Sequence, residues 1–385
     1  MPQARMIEKL CGLPQSSCSD LALLSGLDQK LKLVIEDIEK ATNHVHLEYY
    51  IYEPDTSGYE LSAALIRAAK RGVKVRLLVD DVGSAAFLGK KGKALREELL
   101  QAGVELAVFH PSKIDIFARP LVNLRTHRKI IICDAKVGYL GGINITDTEN
   151  ERINPKSAYR DTHMRVRGPI LRYLAYVFAE DWVYASGKLD MGAELFPAQS
   201  PGKYAAQVVA SGPDASLGAI FYSMLSAINQ AQSRVWLTTP YFVPPQPALA
   251  ALEGAALKGL DLRILLPKRS DSFWVSMAAS SYFQTLLARG AKIYLYEKML
   301  HAKTLLVDDD YALVGTANFD NRSFFLNFEL ALVFYEGEIM QELETMFLQD
   351  LKHSKECLQE SEQASPKSLW QRFAQALARL LSPLL

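Results

Sequence analysis

The sequence predicts an α/β fold built twice over: two pseudo-symmetric halves, each a mixed β-sheet flanked by helices, with the functional site where the halves meet. Two observations predict it. β-rich runs such as VHLEYYIY (from Val45) and VRLLVDD alternate with runs of helical period such as ELSAALIRAAKRG and ALAALEGAALKG, each closing on a glycine suited to a helix C-cap. The second is self-similarity: VHLEYYIY resembles VWLTTPYF, AAKRGVKVRLLVDD resembles AALKGLDLRILLPK, and QAGVEL resembles ARGAKIYL.

Taken in order, each half reads strand, helix, strand, helix, strand and then a hairpin. Gly72 and Gly259 are 187 residues apart, as are Gly103 and Gly290, whereas His127 and His301 are 174 apart. The first half therefore carries an extra loop between Gly103 and His127, within HPSKIDIFARPLVNL. Pro, Gly and Ser cluster in FPAQSPGKY, which sets the seam and divides the chain into 1–200, 201–352 and a polar linker with an amphipathic helix over 353–385.

The hairpins carry a shared polar pattern: HRKIIICD at 127–134 and HAKTLLVD at 301–308 both have the spacing H-x-K-x4-D inside an aliphatic strand. With period 2, His127 and Lys129 share a face, and Asp134 falls at the strand end, away from substrate. A turn centred near Ala135 sets position 143 opposite His127 and brings Asn144 close; a turn near Asp309 returns Asn318 beside His301 in the same way. His44, His46, His110, His163 and His353 have no repeated partner and read as surface or satisfied histidines.

Two imidazoles, two ammonium groups and two amides, without a carboxylate or thiol cluster, suit a phosphodiester. The cations and amides stabilise its non-bridging oxygens and the charge of a pentacoordinate transition state. One ring attacks phosphorus and the other protonates the departing alkoxide, so neither a metal nor another cofactor is expected. Each ring needs an acceptor on its other nitrogen, and Asp161 and Glu329, which follow the two hairpins, are the candidates.

Bulk composition sets limits on partners. The 385 residues are 49% hydrophobic, and 43 Lys+Arg balance 43 Asp+Glu, so no electrostatic pull toward nucleic acid is expected. Cys11, Cys18, Cys133 and Cys357 have no zinc or redox spacing and imply a reducing compartment. No secretory signal and no uninterrupted span long enough for a bilayer is read from the sequence.

The duplicated motif, together with HLEYYIY, GGINI, RDTHMRVRGP, the FAEDW run, TTPYFVP, GTANFDNRSFFLNFE and ARLLSPLL, resembles the phospholipase D superfamily and, within it, bacterial cardiolipin synthases. The resemblance implies that a phosphatidyl group is taken from one phosphatidylglycerol, held on His, and passed to a hydroxyl of a second one with release of glycerol. It carries catalytic roles to His127, Lys129, His301 and Lys303, phosphate binding to Asn144 and Asn318, and the motif's structural positions to Asp134 and Asp308, with His127 as nucleophile and His301 as acid. A hydrolytic phospholipase D or a phosphodiesterase or nuclease of the same superfamily is the alternative. Longer members begin with two membrane-spanning helices, which this sequence lacks, so the expectation is peripheral attachment to an anionic membrane surface, on the cytoplasmic face of the bacterial inner membrane. Two segments offer contact with lipid. One is the C-terminal SPKSLWQRFAQALARLLSPLL, with Leu369, Phe373, Leu377, Leu380 and Leu384 on one face and Arg372, Gln375 and Arg379 on another; docking on the domain is its other reading. The second is the extra loop, with Ile114, Ile116, Phe117, Leu121 and Val122; a packed cover over the site is its other reading.

Overall fold

The structure, a computed structural model, describes residues 2–110, 124–188, 192–214, 218–358, 375 and 377–379. Within these, two large mixed sheets repeat one plan. The first runs Asp20–Leu24, His163–Arg167, Val137–Gly141, Ile130–Cys133, His44–Tyr49, Lys74–Asp80, Glu105–Phe109. The second runs Ser16–Cys18, Tyr204–Ser211, Glu329–Phe334, Tyr311–Gly315, Thr304–Val307, Arg234–Thr238, Asp261–Pro267, Lys292–Tyr296, Ser354–Glu356. In each, three strands joined by helical crossovers are parallel and the hairpin is antiparallel. The crossover helices stop where the matched glycines stand: Gly72, Gly103, Gly259 and Gly290 have φ of 89°, 92°, 79° and 98°, a left-handed geometry that a Cβ would penalise.

Sheet membership does not follow chain order at the ends. Ser16–Cys18 pairs with Tyr204–Ser211, and Ala4 and Ile7 of helix Pro2–Cys11 pack with Ile220 and Met224, so the first eighteen residues, counted with the first half in the sequence reading, complete the second sheet. At the other end Ser354–Glu356, read from sequence as linker, adds an edge strand beside Lys292–Tyr296. Of the amphipathic tail, Ala378 is buried against Val243, Val275 and Ala278, Gln375 Nε2 donates to Ser280 Oγ at 2.8 Å, and the Arg379 guanidinium lies 5.3 Å from the centre of the Tyr282 ring. Leu369, Phe373, Leu380, Leu384 and the extra loop, including Ile114 and Phe117, lie outside the described residues.

The two sheets face each other across a shared core. Phe109, Ile130, Leu140, Met164 and Phe178 from one side pack in a single cluster with Val208, Trp236, Leu306, Val314 and Leu332 from the other. Burial of that much apolar surface fixes the two halves as one body and brings the ends of both hairpins to one edge of the interface.

Candidate active site

The hairpins are built as the register predicted. Ile130 pairs with Leu140 and Thr304 with Val314, the register expected for turns at Ala135 and Asp309. The motif aspartates make the turns. Asp134 and Asp308 have φ of 51° and 48°, a left-handed conformation that Asp tolerates better than most residues. Asp134 Oδ1 accepts from the N–H groups of Asn43 (2.8 Å) and His44 (3.0 Å), and Oδ2 accepts from Thr42 N–H (3.0 Å). Asp308 does the same for Gln232, Ser233 and Arg234 at 2.8–2.9 Å. These bonds hold both carboxyls below their usual range against the opposing effect of burial. The aspartates thus pin each hairpin to the start of its neighbouring strand and bond to neither His127 nor His301 among the described residues.

His127, Asn144, His301 and Asn318 line one cleft of about 580 Å³ between the halves. The orienting carboxylates cross over. His127 of the first half meets Glu329 of the second (Nδ1 to Oε2, 3.1 Å), and His301 of the second meets Asp161 of the first (Nδ1 to Oδ2, 2.7 Å). Backbone staples enforce this exchange: His127 N–H donates to Phe328 O at 2.8 Å, one residue before Glu329, and His301 N–H donates to Arg160 O at 2.7 Å, one residue before Asp161. Around His127 Nδ1 stand two acceptors, Glu329 and the Thr316 carbonyl at 3.1 Å, so that nitrogen carries the hydrogen and Nε2 keeps its lone pair.

Both motif lysines are buried, and each ammonium donates to the carbonyl of its own histidine, Lys129 to His127 O at 2.7 Å and Lys303 to His301 O. Lys303 Nζ also lies 3.9 Å from Asp161 Oδ2. Asn144 Nδ2 donates to Glu149 Oε1 at 2.7 Å, whereas the side-chain oxygen of Asn318 is buried without a hydrogen-bonding partner among the described residues. Burial pushes His127 down to about 4 and Lys129 down to about 7. Glu329 is held down at about 2, because His127 and Lys129 outweigh the effect of burial, and Asp161 is likewise lowered against burial by Lys303 and His301. Burial pushes Asp320 up to about 7.

Residues 34–164 and 224–351, which span both motifs, match the family model described as "Cardiolipin synthase, PLD-like domain". The chain belongs to the cardiolipin synthase family. It is 40% identical to the cardiolipin synthase of Geobacillus sp. (strain WCH70), an alignment covering all of this chain and 76% of that protein. It is 39% identical to cardiolipin synthase 1 of Bacillus anthracis, over 99% of this chain and 75% of the other. Among solved structures the fold matches phosphatidylserine synthase from Haemophilus influenzae Rd KW20 with a TM-score of 0.74 over the full length of both chains at 15% identity. Polyphosphate kinase from Porphyromonas gingivalis matches with a TM-score of 0.57 at 12% identity, covering 93% of this chain and 56% of that one.

Several residues of this cardiolipin synthase family site are absent from the sequence reading. Lys30 is wholly buried on helix Leu27–Lys40, donates from Nζ to Ile143 O at 2.8 Å, and is pushed down by burial to about 7. Arg128, between His127 and Lys129, points the other way: it donates to Asp181 and, at 3.3 Å each, to the carbonyls of Ser211 and Glu329, tying the first motif strand to the second sheet. A charged residue in mid-strand was the available signal. Thr316 gives its hydroxyl to Glu329. Of the histidines expected to be surface or satisfied, His44, His46 and His163 are buried, and neither ring nitrogen of His163 has a hydrogen-bonding partner among the described residues; strand His44–Tyr49 and strand His163–Arg167 lie inside the sheet. Glu149, Asp161 and His301 bring ligand atoms within 4.8 Å of one another, the grouping among the described residues that could hold a metal ion.

Proposed function

We propose that the protein transfers a phosphatidyl group from one phosphatidylglycerol to a hydroxyl of another through a phosphohistidine on His127, without a metal. The reciprocal carboxylate exchange is the observation that carries this reading. It ties Nδ1 of each ring and leaves Nε2 of each for chemistry, in a single cleft. In the first step the His127 Nε2 lone pair forms the P–N bond, the P–O bond to glycerol breaks, and His301 gives the leaving oxygen its proton. In the second, His301 takes the proton of the acceptor hydroxyl, the new P–O bond forms and the P–N bond breaks.

Lys30, Lys129 and Lys303 each interact with buried carboxylates, Glu149 and Asp161 for all three and Glu329 for the two motif lysines, which holds three cationic side chains around the proposed phosphodiester site. Lys303 already supplies Asp161 with a cation, which favours reading Glu149, Asp161 and His301 as proton-handling groups instead of metal ligands. Among the described residues no helix is long and apolar enough to cross a membrane; the proposed placement is peripheral, on the cytoplasmic face of the inner membrane.

Incubating the protein with phosphatidylglycerol vesicles will give cardiolipin and free glycerol, undiminished by EDTA. Phosphatidic acid as the sole lipid product would make it a hydrolase, and a rate lost to the chelator and restored by a divalent ion would overturn the metal-free scheme. The pH profile follows from the buried groups. His127 must be neutral to attack, so kcat/KM rises as pH rises through about 4; Lys129 must be charged, so kcat/KM falls as pH rises through about 7. Bound phosphate stabilises the protonated form of both groups, so both limbs of the kcat profile lie at higher pH than those of kcat/KM. A kcat/KM still rising between pH 7 and 9 would exclude Lys129 as a required cation.

A further inference from the structure

Helix Phe273–Ala288 begins at the lip of the cleft. Its N-cap residue Ser272 and its buried Val275 both line the cleft, but the two residues between them do not turn inward. Phe273 is 59% exposed and Trp274 42% exposed, their rings in an edge-to-face pair 5.5 Å apart. Neither belongs to a hydrophobic cluster of the described residues, and nothing in the catalytic geometry uses them. The base beneath them is firm. The Ser272 hydroxyl caps the helix at Val275 N–H, and Val275 and Ala278 pack with Val243 and Ala378. Strand Phe242–Val243 pairs in turn with Phe319–Asp320, which leads into the short helix Asn321–Phe325. That helix contributes Arg322 to the cleft and carries Phe325, itself 44% exposed.

Adjacent exposed aromatics on a rigid turn beside a cleft that takes lipid have one fitting occupant. They are too few for a protein partner, whose stable interface buries on the order of 1,000 Å² or more. An indole and a phenyl ring suit the boundary between headgroups and acyl chains, where an apolar body meets a wet polar edge. The neighbouring Arg269 is exposed and carries the charge that an anionic headgroup layer attracts. We propose that Phe273 and Trp274 form the foot by which the protein rests on an anionic bilayer, holding the cleft mouth at the depth from which a phospholipid headgroup is drawn in. This rests on the lipid-transfer reading of the cleft. It differs from both sequence-level candidates, the extra loop and the C-terminal tail.

The test is co-sedimentation of the full chain with phosphatidylglycerol vesicles, comparing wild type with Phe273→Ser/Trp274→Ser and with a chain truncated before Pro366. The double variant is expected to partition about tenfold more weakly and to lose kcat/KM on vesicles in proportion, while turning over monomeric short-chain phosphatidylglycerol at the wild-type rate. In a Trp370→Phe background, with Trp182 and Trp236 buried, vesicles of brominated lipid are expected to quench Trp274 fluorescence. Wild-type sedimentation of the double variant, release by truncation alone, equal loss on monomeric and vesicle substrate, or an unquenched Trp274 would each overturn the proposal. Sedimentation and quenching need no turnover, so they decide it even if the transfer reaction itself is not observed.

Discussion

Replacing His127 with Ala will abolish transfer, with a fall in kcat of about 10⁴–10⁶, the scale of removing a covalent nucleophile from a site that retains its other stabilising groups. His301→Ala will slow glycerol release comparably, but the two variants will part on a substrate that needs no acid. With a p-nitrophenyl leaving group in place of glycerol, His301→Ala will still form a phosphatidyl-enzyme, and its second step will be slow because no group deprotonates the acceptor. His127→Ala will form none. Acid quenching, proteolysis and mass spectrometry of the labelled peptide read this directly. A phosphatidyl adduct on His301 would reverse the roles, and two variants of full activity would end the covalent scheme. The structure favours His127 because burial keeps the ring neutral while Glu329 and the Thr316 carbonyl fix the hydrogen on Nδ1.

Glu329→Gln and Asp161→Asn will each cost about 10³–10⁴ in kcat, although neither side chain is expected to touch phosphorus. An amide in place of the carboxylate offers an N–H to Nδ1, which favours the tautomer with its lone pair on the wrong nitrogen. The pH profile separates this from a general loss of structure. Glu329 pulls the His127 pKa upward and stabilises the Lys129 ammonium, so in Glu329→Gln the acidic limb of kcat/KM moves below about 4 and the basic limb below about 7. In Asp161→Asn the acidic limb stays in place. Loss of activity in Glu329→Gln with both limbs unmoved would show that the carboxylate does not act through His127. Protonation has a linked effect on folding: because the His127 pKa lies at about 4 in the fold against 6.5 for a free imidazole, the stability owed to the neutral ring is full above 6.5 and is lost as pH falls toward 4.

The local chemistry of this site was open to reading from residues alone because hairpin geometry is local. A turn at Asp134 or Asp308 and a period of two are enough to bring Asn144 to His127 and Asn318 to His301, and the repeat at 187 residues is enough to expose the double fold. The aspartates were legible as turn residues for the same reason. Asp161 and Glu329 could be named as acceptors, but not assigned, since that depends on which half faces which.

What the sequence by itself determined, then, was the inventory and the fold class: two matched halves, two imidazoles, two ammonium groups, two amides and two acceptors. Tertiary structure alone decided the exchange between halves. Packing of the two sheets over one core sets Phe328 against His127 and Arg160 against His301, and so delivers each carboxylate to the other half's ring. It also decided the roles of Lys30 and Arg128, whose partners lie more than 50 residues away along the chain. Contacts of that range are set by the burial of a whole interface, and no short-range periodicity encodes them.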